Sequence, residues 1–305
     1  MLKRTASPFY ARSAACLALV LIAMLPRFAL AQLDAAPITT DRAFGGKLVA
    51  TGGLSQLEGA GGGGLTPWAL ITGYGTNTQI GANGHVTHIA TNDLHMNSYG
   101  AAVGLYDRVE FSVARQDLNT GNIGTALGLG KGFTIRQGVV GVKVKVAGDA
   151  VLEQDSLLPQ IAVGAQFKHN NRGPMIAALS GATNDGIDIY LSATKLILSQ
   201  SLLVNGTLRM TKANQTGLLG FNGSFKPMLE GSAALLLSRN WAVGAEYRMK
   251  PNNLAVVAKE SDWANVFVAW FPTKNLSVTA AYVQLGRIIT AKNQNAFYLS
   301  MQVGF

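Results

Sequence analysis

A strict two-residue alternation of apolar with polar or small side chains recurs in segments of roughly ten residues, the length of a membrane-spanning strand. The last segment shows it best: Phe297, Leu299, Met301, Val303 and Phe305 alternate with Tyr298, Ser300, Gln302 and Gly304. Successive strand side chains point to opposite faces of a sheet. The pattern therefore predicts strands with one apolar face and one polar or small face.

Three further segments alternate in the same way, at 141–146, 160–168 and 241–249. Composition and turn residues suggest other strands near 45–53, 67–75, 99–105, 109–115, 186–195, 202–210, 216–224, 231–238, 263–271 and 276–284. These are about fourteen candidates. Bacterial single-chain barrels use an even number of strands, so we expect about 12, within a range of 10–14.

Low charge and the lack of a long apolar run place these strands in a membrane. Only 13% of the residues are charged, against about 25% in a typical soluble domain. Beyond residue 31 there is no apolar run long enough for a spanning helix. A soluble β-sandwich would also alternate, but its solvated face would carry dense charge. The sequence therefore predicts an all-β fold, a transmembrane antiparallel β-barrel in the bacterial outer membrane.

Residues 1–31 have the organisation of a cleaved signal peptide, which leaves 32–305 as the barrel. Lys3, Arg4 and Arg12 precede the apolar stretch 14–25, and Ala29-Leu30-Ala31 fits a cleavage site. The only cysteine, Cys16, lies in this leader, so disulfides and thiol chemistry are excluded from the mature chain. The leader holds four of the 25 basic residues and none of the 16 acidic ones, which reduces the net charge from +9 to +5. The remaining basic residues form no run, and no nucleic-acid partner is expected.

The glycine-rich segment 52–66 is the most distinctive stretch. It lacks the Gly-Lys-Ser/Thr ending of a phosphate-binding loop. We favour a flexible turn, or backbone that passes close to another surface such as a barrel wall.

The next segment, 76–98, is predicted to be a polar loop with three of the four histidines, His85, His88 and His95. Metal binding is one interpretation, and a solvated loop is the favoured one. His95 and Ser98 also invite comparison with barrel enzymes that hydrolyse lipid acyl groups, but no acid is placed beside them. We therefore expect no catalytic residue, metal or cofactor.

Charged residues on the polar faces of the strands are the candidates for lumen and selectivity positions. They are Lys143, Lys145, Lys168, Arg209, Glu246 and Arg248. Glu110 and Asp188 share these faces, so basic groups are in excess. A lipid-facing Lys or Arg at mid-depth costs about 2–4 kcal/mol, which favours the inward direction. The charges could line a water-filled path, or pair with each other as Glu246 and Arg248 could.

Thr51-Gly52-Gly53, the run from Glu58 to Gly64, and Pro67-Trp68-Ala69-Leu70-Ile71 resemble an uncharacterised domain-of-unknown-function family of exported Gram-negative proteins. The resemblance implies an outer-membrane barrel and no established activity. The terminal octapeptide ending at Phe305 is similar to the signal that barrel assembly machinery recognises.

These features predict a porin-like channel for small solutes with a slight anion preference, in contact with outer-membrane lipid. Two alternatives stay open, an outer-membrane acyl hydrolase and a filled structural barrel without transport. The solute and the oligomeric state stay undetermined.

Overall fold

Twelve long antiparallel strands make up most of the structure. The computed structural model describes residues 46–305 except 48, 53, 127, 181, 254–259 and 289–290. The predicted signal peptide, 1–31, lies outside the described residues. A short hairpin comes first, β1 (Leu54–Ser55) and β2 (Gly61–Gly62). The long strands follow: β3 (Ile80–Ala90), β4 (His95–Leu105), β5 (Val109–Asn119), β6 (Thr134–Ala147), β7 (Gln160–Asn170), β8 (Asp185–Ile197), β9 (Leu202–Ala213), β10 (Phe221–Leu236), β11 (Trp241–Arg248), β12 (Trp263–Trp270), β13 (Leu276–Ile288) and β14 (Ala291–Gly304).

The sheet closes on itself. Each long strand pairs with its neighbour in sequence, and β14 returns to β3 in a register that runs from Phe297↔Ala90 to Gly304↔Asn83. Closure leaves no strand edge with unpaired backbone groups, which is what a sheet in lipid requires. The predicted all-β barrel with 12 strands is confirmed.

The two faces of this sheet differ as the alternation predicts. Outward side chains such as Val140, Leu229 and Val266 are 56–60% exposed. Inward side chains such as Gln137 and Lys143 are buried. An apolar exterior around a polar interior is the arrangement of an outer-membrane barrel, and we assign the protein to the bacterial outer membrane.

The two ends of the barrel differ in the length of their connections. At the end where the chain terminates, four connections have only three to five residues and the fifth, 148–159, is longer. We call this the turn end. The opposite loop end has connections of up to 14 residues, which contain α1 (Gly121–Ala126) and α2 (Gly173–Ser180). Short turns face the periplasm in such barrels. No helix in the described part of the chain is long and apolar enough to cross a membrane.

Several boundaries differ from the sequence prediction. The described residues of 45–53 and 67–75 contain no strand of the barrel, and the strands expected near 216–224 and 231–238 are one strand, β10. The predicted polar loop 76–98 is wrong, because it contains β3 and the start of β4. The polar composition of this segment indicated a loop, but β3 is a strand whose polar side chains Asn83, His85 and Thr87 point toward the polar interior of the barrel. Of the fourteen candidates, two are not barrel strands and two are parts of β10, whereas β3 was missed, which leaves the expected 12 strands.

Candidate functional site

The lumen is occupied by residues 54–75, which we call the plug. Every residue of this segment is buried. Its first half is the β1–β2 hairpin, in which Gln56 N donates to Ala60 O at 2.8 Å. Gly59 turns the chain with a φ of +96°, which side chains other than glycine rarely adopt.

The plug is held by polar side chains from strands all round the wall. Its Leu57 carbonyl accepts hydrogen bonds from Ser98 of β4 at 2.6 Å and Gln116 of β5 at 2.9 Å. On the opposite side, the Pro67 carbonyl accepts from Thr207 of β9 at 2.9 Å. These bonds satisfy backbone groups of a loop that would otherwise be buried without partners.

The glycines allow this close approach of plug and wall. A Cβ on Gly63 would overlap the carboxylate of Glu246 and lie 3.2 Å from the indole nitrogen of Trp68. The Glu246 carboxylate instead accepts from Leu65 N at 3.0 Å and from Thr66 Oγ1 at 3.0 Å. Of the interpretations of the glycine-rich segment, backbone passing close to a barrel wall is the one that the structure shows.

A cluster of six buried charges joins the plug to the wall. Its members are Glu58 of the plug and Lys168, Asp188, Arg209, Glu230 and Arg248 of the wall. Three acids and three bases make the cluster neutral, which is the condition for burying charge at tolerable cost. We refer to it as the charge cluster.

Glu58 is the contribution of the plug to this cluster. Its carboxylate touches the ammonium of Lys168 and lies 2.9 Å from Arg248 Nη2. Arg209 completes the cluster, since it lies 2.5 Å from Glu230 and 3.2 Å from Asp188. The plug is therefore bound to the wall by charge as well as by backbone hydrogen bonds.

A second ion pair holds the middle of the plug. Lys143 Nζ lies 2.9 Å from Glu110 Oε2, and both groups are buried. Lys143 donates to Gly61 O at 2.8 Å, and Glu110 accepts from Gly61 N at 2.9 Å and Thr72 N at 2.8 Å. One pair of side chains thus binds both the donor and the acceptor of the same glycine.

The remaining two candidates have other surroundings. Lys145 lies at the turn end, where its ammonium is 2.7 Å from Asp107 and 3.3 Å from Asp149. Glu246 binds plug backbone as described, and also accepts from Asn265 at 2.7 Å. In the described structure Arg248 pairs with Glu58 and Glu230, not with Glu246.

The loop end is closed by the connection 214–220, which we call the cap. Thr216 O accepts from Lys168 Nζ at 3.1 Å and from Gln137 Nε2 at 3.2 Å. Gln215 Oε1 accepts from Lys250 Nζ at 2.7 Å. Lys168 therefore touches the plug and the cap at once.

The histidines and Ser98 are divided between the two faces of the wall. Ser98 is buried in the lumen, 3.3 Å from His85 Nε2. His95 lies on the outer face, with its ring 6.2 Å from that of His88. Because His95 and Ser98 are three residues apart on one strand, they cannot meet. Among the described residues no three His, Cys, Asp or Glu side chains are grouped as metal ligands.

Sequence reasoning missed Glu58 and Glu230 as members of the site. Glu230 occupies an alternating position of β10, on the buried face with Ser232, so its inward direction was readable once the strand was recognised. Glu58 lies outside any barrel strand, and alternation contains no signal for it.

Residues 51–302 match the model of a family described as "Protein of unknown function (DUF3034)". The chain belongs to this family. No curated protein matches the chain. The resemblance in the sequence to an uncharacterised family of outer-membrane barrels is thereby confirmed.

Solved outer-membrane barrels are similar in overall shape. A KdgM porin in complex with disordered oligogalacturonate is 11% identical, with a TM-score of 0.49 over 73% of this chain and 99% of that chain. A NanC porin is 9% identical, with a TM-score of 0.47 over 73% and 98%. Outer membrane phospholipase A from Escherichia coli is 10% identical, with a TM-score of 0.41 over 77% and 91%. These likenesses are loose, and the function proposed below rests on the interior of this barrel alone.

Proposed function

We propose that the protein is a porin-like channel for small solutes that is closed in this structure and opens when the plug shifts. The observation behind this proposal is the polarity of the wall beneath the plug. Its buried side chains include Gln116, Gln137, Gln166, Ser192, Thr194 and Thr207. Such a wall would be wetted once the plug moved away.

The way the plug is held also supports a removable closure. Well-packed apolar groups in place of a buried ion pair are often neutral or stabilising by 1–4 kcal/mol, so charge is not the most stable filling. Ion pairs and hydrogen bonds can be exchanged for water, whereas an apolar core loses its stabilisation when it is wetted. The charge cluster and the Glu110–Lys143 pair are therefore suited to a closure that opens.

The ionic selectivity proposed for the open state follows from the charges that stay on the wall. With the plug displaced, Glu58 leaves, while Lys143, Lys168, Arg209 and Arg248 stay against Glu110, Asp188, Glu230 and Glu246. Four bases against four acids give no excess of either sign. We therefore replace the slight anion preference expected from sequence by weak selectivity.

A filled structural barrel is the second candidate, because every residue of the plug is buried and its charges are compensated. The two candidates differ in one respect, since only a channel conducts when the plug is loosened.

We propose a passive role without catalysis or cofactor, supported by the separation of His95 from Ser98 across the wall. We also keep the proposal that assembly machinery recognises the C-terminal strand. Phe305 is 52% exposed, so its side chain is accessible from outside the barrel.

The channel is tested by a reversible cross-link between plug and wall. Thr66 Oγ1 and Ser232 Oγ are 3.3 Å apart, so sulfur atoms at these positions need a small rotation to form a disulfide. The only native cysteine, Cys16, lies in the predicted signal peptide. In planar bilayers we expect wild-type protein to show openings, the oxidised T66C/S232C protein to show none, and a reductant to restore them.

The matched control cross-links two wall strands without the plug. Thr87 Oγ1 and Ser300 Oγ are 2.8 Å apart on β3 and β14. Oxidised T87C/S300C protein should conduct like wild type. If wild type and the plug-loosening variant E58Q both fail to conduct, the channel is excluded and the filled structural barrel is selected.

A further inference from the structure

The one long connection at the turn end, residues 148–159, lies against the outside of the barrel. We call it the flap. Gln154 Nε2 donates to Leu196 O at 2.9 Å, and Gln154 Oε1 accepts from Leu198 N at 3.1 Å. These bonds fix the flap beside the end of β8 and the connection to β9, at the turn end of the barrel.

A groove of about 570 Å³ separates the flap from the wall. Its apolar lining consists of Leu157, Pro159, Ala193, Ile197, Val204 and Gly206. Ala193 and Gly206 are directly paired across β8 and β9, and no heavy atom lies within 4 Å of a Cβ placed on Gly206. Two small residues side by side thus leave a notch in the lipid-facing surface that a hydrocarbon chain can fill.

The flap itself is built to touch lipid. Leu157 is 98% exposed and Leu152 is 80% exposed, and both lie in this connection between β6 and β7. Exposed leucines on a connection at the edge of a membrane barrel are stabilised when they enter the acyl boundary. These two leucines therefore suit a position where headgroups meet acyl chains.

One cation lies in this groove without a counter-ion. Lys195 is on the outward face of β8, and its ammonium donates to the carbonyls of Asp149 at 3.2 Å, Glu153 at 2.5 Å and Leu158 at 3.2 Å. Within the described structure no carboxylate lies within 4.0 Å of it. A charge on the lipid-facing surface is tolerated near the interface, where its cost falls to about 0–1 kcal/mol.

Two exposed carboxylates of the flap flank Gln154, which lines the groove. Glu153 and Asp155 are exposed in the flap and form no ion pair among the described residues. A fully anionic lipid would be attracted by Lys195 and repelled by both acids. A zwitterionic headgroup matches both signs, since it has a phosphate for the cation and an ammonium for the acids.

We propose that this groove binds one amine-bearing zwitterionic phospholipid of the periplasmic leaflet. Its acyl chains lie in the notch of Ala193 and Gly206, its phosphate faces Lys195, and its ammonium faces Glu153 and Asp155. The site is separate from the lumen, so the proposal does not depend on the channel.

Native mass spectrometry of the delipidated full-length barrel tests the site, with phosphatidylethanolamine and phosphatidylglycerol of the same chains as probes. We expect one phosphatidylethanolamine to bind, and G206L, which fills the notch, to weaken it about tenfold. Gly138 is the matched control, because it is an outward glycine with equally open surroundings. G138L should bind like wild type.

The headgroup contacts are tested separately. K195M should weaken phosphatidylethanolamine binding, and E153Q/D155N should remove the preference for phosphatidylethanolamine over phosphatidylglycerol. K195M also removes the hydrogen bonds between Lys195 and the flap. G206L leaves those bonds in place, so it tests lipid binding separately from the attachment of the flap. Equal binding of both lipids to wild type, or equal effects of G206L and G138L, would overturn the proposal. Either result would mean that the groove contacts only the lipid that surrounds the barrel as a whole.

Discussion

Glu58 of the plug and Arg248 of the wall lie 2.9 Å apart inside the barrel, and both are buried. The residues are far apart in the sequence and belong to different parts of the fold. Glu58 is the only charged residue of the plug, so the ionic attachment of the plug to the charge cluster depends on this one side chain.

Removal of the Glu58 charge should loosen the plug. E58Q leaves three buried cations against two anions, and an unpaired buried charge costs about 3–5 kcal/mol. We expect faster hydrogen exchange in residues 54–75, measured by mass spectrometry. The control is D117N, which removes a carboxylate paired with exposed Arg115 at 2.9 Å, and such surface pairs contribute about 0.2–1 kcal/mol. Equal exchange in the two variants would contradict a plug held by Glu58.

The Glu110–Lys143 pair should show strong coupling. K143M leaves Glu110 buried without its cation, whereas E110Q/K143M removes both charges. We expect the double variant to be more stable than K143M, although it carries more changes, because paired charges compensate each other. The stability of the two variants is measured by thermal unfolding, which is monitored through the heat-dependent shift in gel migration. A double variant that is less stable than K143M would contradict the coupling.

Gly63, where the plug backbone approaches the Glu246 carboxylate, should not tolerate a side chain. G63V places methyl groups in the space of the Glu246 carboxylate, and overpacking of this kind costs about 1–3 kcal/mol. We expect a lower unfolding temperature and faster proteolysis of the plug. G138V, at an outward position with open surroundings, should unfold like wild type. A G63V protein as stable as G138V would show that the space between the plug and the wall accommodates a larger side chain.

Closure of the loop end should depend on pH through Lys250, whose ammonium lies 4.5 Å from the centre of the Trp263 ring. Burial lowers the pKa of Lys250 from 10.5 to about 7, against the attraction of Glu260. The closed state thus disfavours the charged amine, and its stability rises with pH between about 7 and 10.5, by up to about 1.4 kcal/mol per pH unit. Burial raises the pKa of Glu260, so this group acts oppositely, in the acid range above 4.5.

Limited proteolysis of the cap and of the β11–β12 connection measures this dependence. Wild-type protein should be cleaved more slowly at pH 9 than at pH 7, and K250M should lose most of the difference. A K250M protein with the wild-type slope would assign the dependence to another group.

The sequence alone determined the sheet and its surroundings. Alternation of side chains is a local property, because neighbouring residues of a strand always point to opposite faces. It therefore predicted the 12-strand barrel and the inward direction of Lys143, Lys168 and Arg209. It failed at 67–75, where apolar residues such as Trp68 and Ile71 fill a lumen, because apolar composition marks burial and not the element that is buried.

Only the tertiary structure decided what fills the barrel. Glu58 follows no strand period, and the side chains that bind it come from three strands that are distant in sequence. Their meeting depends on closure of the sheet, which brings Lys168, Arg209 and Arg248 to one side of a common lumen. The same closure turns a glycine-rich segment without a recognisable motif into a plug, since glycine lets backbone approach a wall that exists only after the barrel has formed.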